Sequence, residues 1–258
     1  MQVKVMGKGK NNKLDYECNP DTVLEEATRR KMSPRMLCAF KDGTKTMVEM
    51  TAMSNATGLI PDVIGGHGPS ASPAERCKEL NSIFRLKQDG GILDKHGVVE
   101  FVNGIAPGVF VTVATENEEI SYQMQYHSMG PGPLWTLYRP YHLCNLETPL
   151  TVAKAVIDNE PTIIPIDGPV SECITAAKKD LKAGEYIDGI GGFTTYGSIA
   201  TAEETYANNY VIYGLINKKA RMKKDAKKGQ LLTLDMVELD TSTQLYKVRR
   251  EQDAMYNK

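Results

Sequence analysis

Residues 2–6, Gln-Val-Lys-Val-Met, read as a β-strand that runs directly into Gly7-Lys8-Gly9-Lys10-Asn11-Asn12. A buried strand must pair its backbone N–H and C=O groups, so it requires sheet partners. A strand entering a Gly/Lys/Asn loop is how α/β proteins present polar groups at a sheet edge. Nothing upstream supplies partners here. The expectation is a chain that begins part-way through a fold, with residues 2–6 as the last piece of a sheet.

Further along, Asn19-Pro20-Asp21-Thr22 opens a helix reaching about Lys31, with Glu25 and Glu26 in its first turns and Pro34 after its end. A second helix is predicted from about Asp42 to Thr57, stopped by Gly58 and Pro61. Its Met47, Met50, Ala52, Met53 and Ala56 suggest close packing. Residues 61–73 form a Gly/Pro/Ser loop, followed by a helix at 74–83. Strands are predicted at 98–102, 109–114 and 134–138, and helices at 116–126 and 147–158, the last with Pro149 in its first turn. After Pro161 the pattern becomes short and β-rich. There Lys179-Asp180-Leu181-Lys182-Ala183-Gly184-Glu185 echoes Lys224-Asp225-Ala226-Lys227-Lys228-Gly229-Gln230. The matched spacing favours a small β-unit built from two related loops over two chance turns.

Composition narrows the function classes. The net charge of -1 gives no electrostatic footprint for nucleic acid, and the basic cluster at 218–228 reads as a solvated face. Five widely spaced cysteines, none in a C-x-x-C pair, argue for reduced thiols rather than a disulfide framework or structural zinc. No signal-peptide stretch and no apolar run of ~20 residues is present, so neither a membrane nor export is expected and the cytoplasm is the expected compartment.

Six segments, taken in order, resemble one family: Gly7–Asn12, Asp42–Met50, Asn55–Leu59, Ala106–Phe110, Leu137–Leu143 and Arg249–Ala254. They are similar to the homoserine-dehydrogenase-like oxidoreductases that carry a C-terminal SAF domain, a group that includes 1-deoxy-xylulose-5-phosphate reductoisomerase-like enzymes. The resemblance implies a mixed α/β (α+β) substrate-binding and dimerisation domain over residues 1–160 and a β-rich, SAF-like (β-clip) domain over 161–258. It implies NADPH or NADH as cofactor, a small hydroxy or keto substrate, isomerisation of a sugar phosphate in some members, and a homodimer. Family members begin with a Rossmann domain. The chain has no G-x-G-x-x-G, so it reads as the part following that domain, through truncation, a split gene or domain excision, with a separate Rossmann-domain chain as one partner. The rival reading is a non-catalytic SAF-bearing binding or assembly module.

Oxidoreduction of a hydroxyl needs a proton donor or acceptor and groups that hold the substrate oxygens. Lys8 and Lys10 suit this role or are surface lysines in a turn. Lys45 and Glu49, four residues apart, form either a buried proton-transfer pair or a solvated ion pair. Under the family reading, Lys8 or Lys45 exchanges the proton with Glu49 as partner. Asn55, on the same helix, shares their cleft or faces away. His67, in Gly65-Gly66-His67-Gly68, belongs to a ligand lid or to an incidental mobile loop. Tyr138, Arg139 and His142 supply hydroxyl and anion contacts or pin a strand-to-helix junction. No D-x-D, H-x-x-x-H or H-E-x-x-H pattern appears, and no metal site is assigned.

Overall fold

In the computed structural model, which describes residues 1–256, the first strand does not stop at Met6 but runs from Gln2 to Lys10 (β1). The glycines expected to open a loop lie inside it. A Cβ on Gly7 would come within 1.8 Å of the Glu100 carbonyl oxygen, and one on Gly9 within 2.4 Å of the Ala106 nitrogen. These positions are glycine because other backbone passes there, not because the chain turns. The partners expected to be missing come from later residues. β3 (Val98–Asn103) lies parallel on one side of β1 and β4 (Val109–Ala114) antiparallel on the other. β2 (Ile60–Pro61) pairs with β3, and β5 (Leu134–Arg139) with β4. The result is a five-stranded mixed sheet, β2-β3-β1-β4-β5, centred on the first strand of the chain.

This sheet belongs to one of two units, formed by residues 1–11 and 52–167. One of its faces carries a core of Val5, Val98, Val102 and Phe110, with Leu80 and Phe84 from the α4 (Arg76–Ile83) region packed against it. The Phe84 and Phe110 rings stack at 5.4 Å between centroids. Thr112 and Thr136 share a hydrogen bond of 2.8 Å between β4 and β5, and Thr136 Oγ1 donates to Asn81 Oδ1 at 2.7 Å, so the buried hydroxyls are satisfied. α5 (Glu118–Tyr126) is capped by Asn117, whose side chain accepts from the Ile120 N–H. α6 (Cys144–Ala153) starts before the expected Glu147, which leaves Pro149 inside it, and passes into a single π-helical turn through Asp158. Leu146, Leu150, Val156 and Ile157 of this stretch are exposed.

The second unit comprises residues 12–51 and 168–258, so 12–51 group with the carboxy-terminal segment although they precede the 160/161 boundary expected from sequence. It contains α1 (Leu24–Arg29), α2 (Pro34–Lys41) and the first half of α3 (Thr44–Thr57). α2 was not expected. Pro34 was read as a stop, but it occupies the first turn of a new helix, where a proline has no N–H to lose. The unit also holds the β6 (Ser171–Ala177) and β7 (Thr195–Thr201) pair, α7 (Ala202–Ala207) with a Thr201–Glu204 capping box, the short pair β8 (Arg221–Met222) and β9 (Val237–Glu238), and α8 (Gln244–Met255). Arg249 of α8 binds both carboxylate oxygens of Glu172 at 2.6 and 3.0 Å and tethers the helix to β6.

The two echoing loops pair with each other. Leu181 and Ala226 exchange backbone hydrogen bonds of 2.8 and 3.0 Å. Lys182 Nζ reaches Asp225 at 2.7 Å, and Lys227 Nζ reaches Asp180 at 3.0 Å. Each aspartate also accepts a backbone N–H from the other loop, at Ala183 and Lys228, both 2.9 Å. Gly184 and Gly229 sit at φ +88° and +80°. The sequence echo is therefore a local two-fold arrangement in which each loop supplies what the other needs.

Candidate active site at the carboxyl edge of the mixed sheet

β1 and β3 run parallel and end together at Lys10 and Asn103. β4 starts at that edge, and β5, antiparallel to β4, ends there at Arg139. In open α/β sheets the crevice outside the carboxyl ends of the strands is where ligands bind. The register places Phe101, Lys8, Val109 and Arg139 side by side across four strands, on one face of the sheet. Two strand spacings separate the Lys8 and Arg139 backbones, about 10 Å. Lys10 pairs with Asn103 one step further out. Both lysines are buried, at 9% and 5% exposure. On the same face lies a groove of about 530 Å³, lined mainly by apolar groups including Met6, Met53, Val111 and Leu137, with Arg139 contributing its one charged side chain.

The loop at 61–70 reaches the same edge. The Asn103 amide donates to the Gly68 carbonyl at 2.8 Å, and its backbone N–H donates to the Pro69 carbonyl at 2.8 Å. Glu100, fully buried on β3, accepts from the backbone N–H groups of His67 at 2.7 Å, Phe101 at 2.8 Å and Gly68 at 3.2 Å. Burial pushes the Glu100 carboxyl above the usual carboxylate range even though these three donors oppose the shift. The His67 ring is 2.8 Å from Asp62, which also accepts the N–H groups of Asp94 and Lys95. Burial works against ionisation of Asp62, but the hydrogen bonds from His67 and the two backbone groups outweigh it and hold the carboxyl below its ordinary value. The loop is thus tied down at His67, at both backbone and ring, rather than being an untethered lid.

The remaining residues read from sequence are distributed as follows. The Tyr138 hydroxyl donates to the Ile105 carbonyl at 2.7 Å and braces the β3–β4 turn. Arg139 pairs with Glu147, and its guanidinium lies 5.9 Å from the Tyr141 ring centre. The His142 N–H donates to the Pro107 carbonyl at 3.1 Å, which brings that residue to the same turn. The Asn55 carbonyl accepts from the Ile166 N–H at 3.0 Å, two residues after Met53 of the groove. Lys45 and Glu49 belong to the second unit and form a 3.5 Å pair with side chains 49% and 31% exposed, which is the solvated arrangement. Sequence reasoning missed Glu100, Asp62 and Asn103. Glu100 did carry a signal, as a lone carboxylate inside the apolar run Val98-Val99-Glu100-Phe101-Val102, since unpaired charges are rarely left fully buried.

A dinucleotide does not fit β1. The Gly9 N–H donates to the Gly108 carbonyl, and the glycine surfaces are covered by β3 and the 105–106 turn, so no free backbone cradle for a pyrophosphate remains there. Among the described residues, Cys18, Cys38 and Asp42 in the second unit place metal-capable atoms within 4.8 Å of one another, but the Lys178 ammonium already lies against them. The sheet edge places cationic and amide groups near a groove lined mainly by apolar side chains, with Arg139 paired to Glu147 and the Asn103 amide bonded to Gly68, a combination suited to an anionic substrate with a short carbon chain.

No curated protein matches the chain. A family model described as "Oxidoreductase DRL, catalytic domain" matches residues 1–148, a span that holds the whole mixed sheet and every residue of the edge just described. That span exceeds half of the chain, and the protein belongs to the DRL catalytic-domain family of oxidoreductases.

Proposed function

We propose that the protein is an NAD(P)H-dependent oxidoreductase whose sheet edge holds a small phosphorylated or carboxylated hydroxy or keto compound. The observation that carries this reading is the alignment of Lys8 with Arg139, beside Lys10 and Asn103, next to the apolar groove. Arg139 would take the substrate's anionic group in a two-point contact. Lys8 would exchange a proton with the oxygen that changes oxidation state, and Lys10, Asn103 and His142 would fix the other hydroxyls. The apolar wall would exclude water from the carbon undergoing reaction. A sugar phosphate fits this division of charge and carbon chain better than homoserine, whose ammonium would face three cations.

Because β1 leaves no cradle for the nucleotide, we assign its binding mainly to a nucleotide-binding domain, in the same or a separate chain. We read the segment after residue 167, with its paired echo loops, as SAF-like. The exposed apolar side chains of α6 favour a homodimer as the working assembly. The cytoplasm remains the proposed compartment. No described helix is long and apolar enough to cross a membrane.

Calorimetric titration of the chain with a pentulose 5-phosphate, homoserine, NADH and NADPH tests the reading. Expected are sugar-phosphate binding that is weakened roughly 10- to 150-fold in Arg139→Ala and no nucleotide binding. Nucleotide binding by this chain would overturn the assignment of the cofactor to another domain. Silence toward both substrate classes would overturn the site in favour of a non-catalytic module.

A further inference from the structure

The second unit holds a closed cluster that the proposed chemistry does not use. Cys18, in the segment before α1, and Cys38, on α2, are 2% and 0% exposed, and their sulfurs lie 3.5 Å apart. Lys178, just after β6, donates to Cys38 Sγ at 3.1 Å, to the Cys18 and Gly192 carbonyls at 2.9 Å each, and meets Asp42 at 2.7 Å. An ammonium against a sulfur favours the thiolate, and a second thiol within van der Waals distance can resolve an oxidised first one. Three of the protein's cysteines stand outside this arrangement: Cys77 is half-buried, Cys144 is exposed, and Cys173 is buried on β6.

We infer that Cys38 and Cys18 form a reversible thiol pair, oxidised to an intramolecular disulfide by hydrogen peroxide, with Lys178 as the residue that activates Cys38. The Cys38 thiolate attacks one peroxide oxygen and the O–O bond breaks. With one proton taken up, the products are a Cys38 sulfenic acid and water. The Cys18 thiol then attacks the sulfenic sulfur, the S–O bond breaks, the thiol proton leaves with the hydroxyl as a second water, and the S–S bond forms. Two thiols are oxidised and one peroxide is reduced to two waters. The sulfurs must approach by about 1.5 Å to reach disulfide bonding distance. The direction of titration agrees with this geometry. The hydrogen bond with Cys18, and then Lys178, hold the Cys38 thiol below its ordinary value against the effect of burial, while the same hydrogen bond and burial push Cys18 up. Burial restricts the oxidant to a small one, and peroxide has that size. Oxidation replaces the Cys38 contact with Lys178 and ties the segment around Cys18 covalently to α2.

The test treats the folded chain with hydrogen peroxide, blocks remaining thiols in denaturant, and maps the peptides by mass spectrometry. Expected is a linked peptide joining Cys18 to Cys38, lighter by two hydrogens and reversed by dithiothreitol. In Cys18→Ser, which closely keeps the size of the side chain, a Cys38 sulfenic acid formed in the folded chain should be trapped by dimedone added with the denaturant. Free Cys18 and Cys38 under conditions that oxidise Cys144 would overturn the inference. So would linkage of either to Cys77, Cys144 or Cys173, or failure of dimedone added with the denaturant to label Cys38 in Cys18→Ser oxidised while folded.

Discussion

Glu100 and Asp42 are both fully buried carboxylates, yet the protein surrounds them differently. Asp42 faces the Lys178 ammonium at 2.7 Å and accepts the Thr44 N–H at 2.9 Å, so a full positive charge and a helix start answer its negative charge. Glu100 is held by three backbone N–H dipoles, those of His67, Gly68 and Phe101. Dipoles alone do not offset its desolvation, and its carboxyl is held above the ordinary range. One unit spends its buried acid on an ion pair. The other holds its buried acid with backbone dipoles and no facing ammonium or guanidinium among the hydrogen bonds described.

The strongest way to break this contrast is to unpair the ionic cluster. Lys178→Met should destabilise the fold by about 3–5 kcal/mol, because it strands a buried carboxylate, and Asp42→Asn should follow the same trend. Replacing both partners together, as Asp42→Leu with Lys178→Met, should recover much of the loss. Chemical denaturation of the three variants measures it. If the double variant is no better than the sum of the singles, the pair is not the reason for the cost. Lys178 is held above its ordinary value, because Asp42 and Cys38 more than offset the lowering by burial. Its contribution is therefore complete below about pH 10 and lost only as pH climbs through the raised folded value.

The sheet edge should respond in binding as well as in stability. Arg139→Ala removes a charge-assisted contact worth about 1.5–3 kcal/mol, so a sugar phosphate should bind roughly 10- to 150-fold more weakly. The side chain is 58% exposed, so thermal stability should barely change. Glu100→Gln tests the other half of the contrast. Both carboxylate oxygens accept backbone N–H groups, so the new amide group would face a donor and cost about 1–3 kcal/mol, loosening 65–68 first. Asp62 sharpens the picture by pH. Its folded value is depressed, so its stabilisation is present above about pH 4 and fades as pH falls through that lower value. Protection against hydrogen exchange at the Asp94 and Lys95 amides, corrected for the intrinsic rate at each pH, should fall in that acidic range while protection along β1 does not.

Much of the framework was legible because it depends on local pattern. β4 lies where the β-branched run at 109–114 was expected, and β3 and β5 each extend one residue past the predicted end. The repeated Lys-Asp-x-Lys-x-Gly spacing identified loops that pair in space. What failed depended on residues distant in sequence. Gly7 and Gly9 look like turn glycines until Glu100 and Ala106 are placed against them. Pro34 looks like a stop until the turn after it proves helical. At the candidate site, Lys8 and Lys10 were read as loop lysines after a strand and Arg139 as part of a polar-aromatic cluster, and β1–β4–β5 pairing supplies the row that joins Lys8 to Arg139. Asp62 and Asn103 were not, since their partners lie mostly on the backbone of distant residues that no motif reveals, and Glu100 showed only as a lone carboxylate in an apolar run.

The smallest expected effect concerns the pair that sequence singled out and the structure leaves partly exposed. Lys45 and Glu49 satisfy the i,i+4 spacing, and so would be a proton-transfer couple had the helix turned them inward. Their side chains instead stand half and a third exposed, with the Lys45 ammonium 4.5 Å from the Phe40 ring centre. An exposed pair at this spacing contributes about 0.2–0.5 kcal/mol and is screened by salt. Lys45→Met and Glu49→Gln should therefore each shift stability by no more than that, the difference should shrink at high ionic strength, and sugar-phosphate affinity should stay at the wild-type value. A tenfold loss of affinity in either variant would make the pair part of the site despite its exposure. The contrast between a buried acid held by backbone dipoles and one held by an ion pair would then gain a third member, an exposed pair that contributes to affinity.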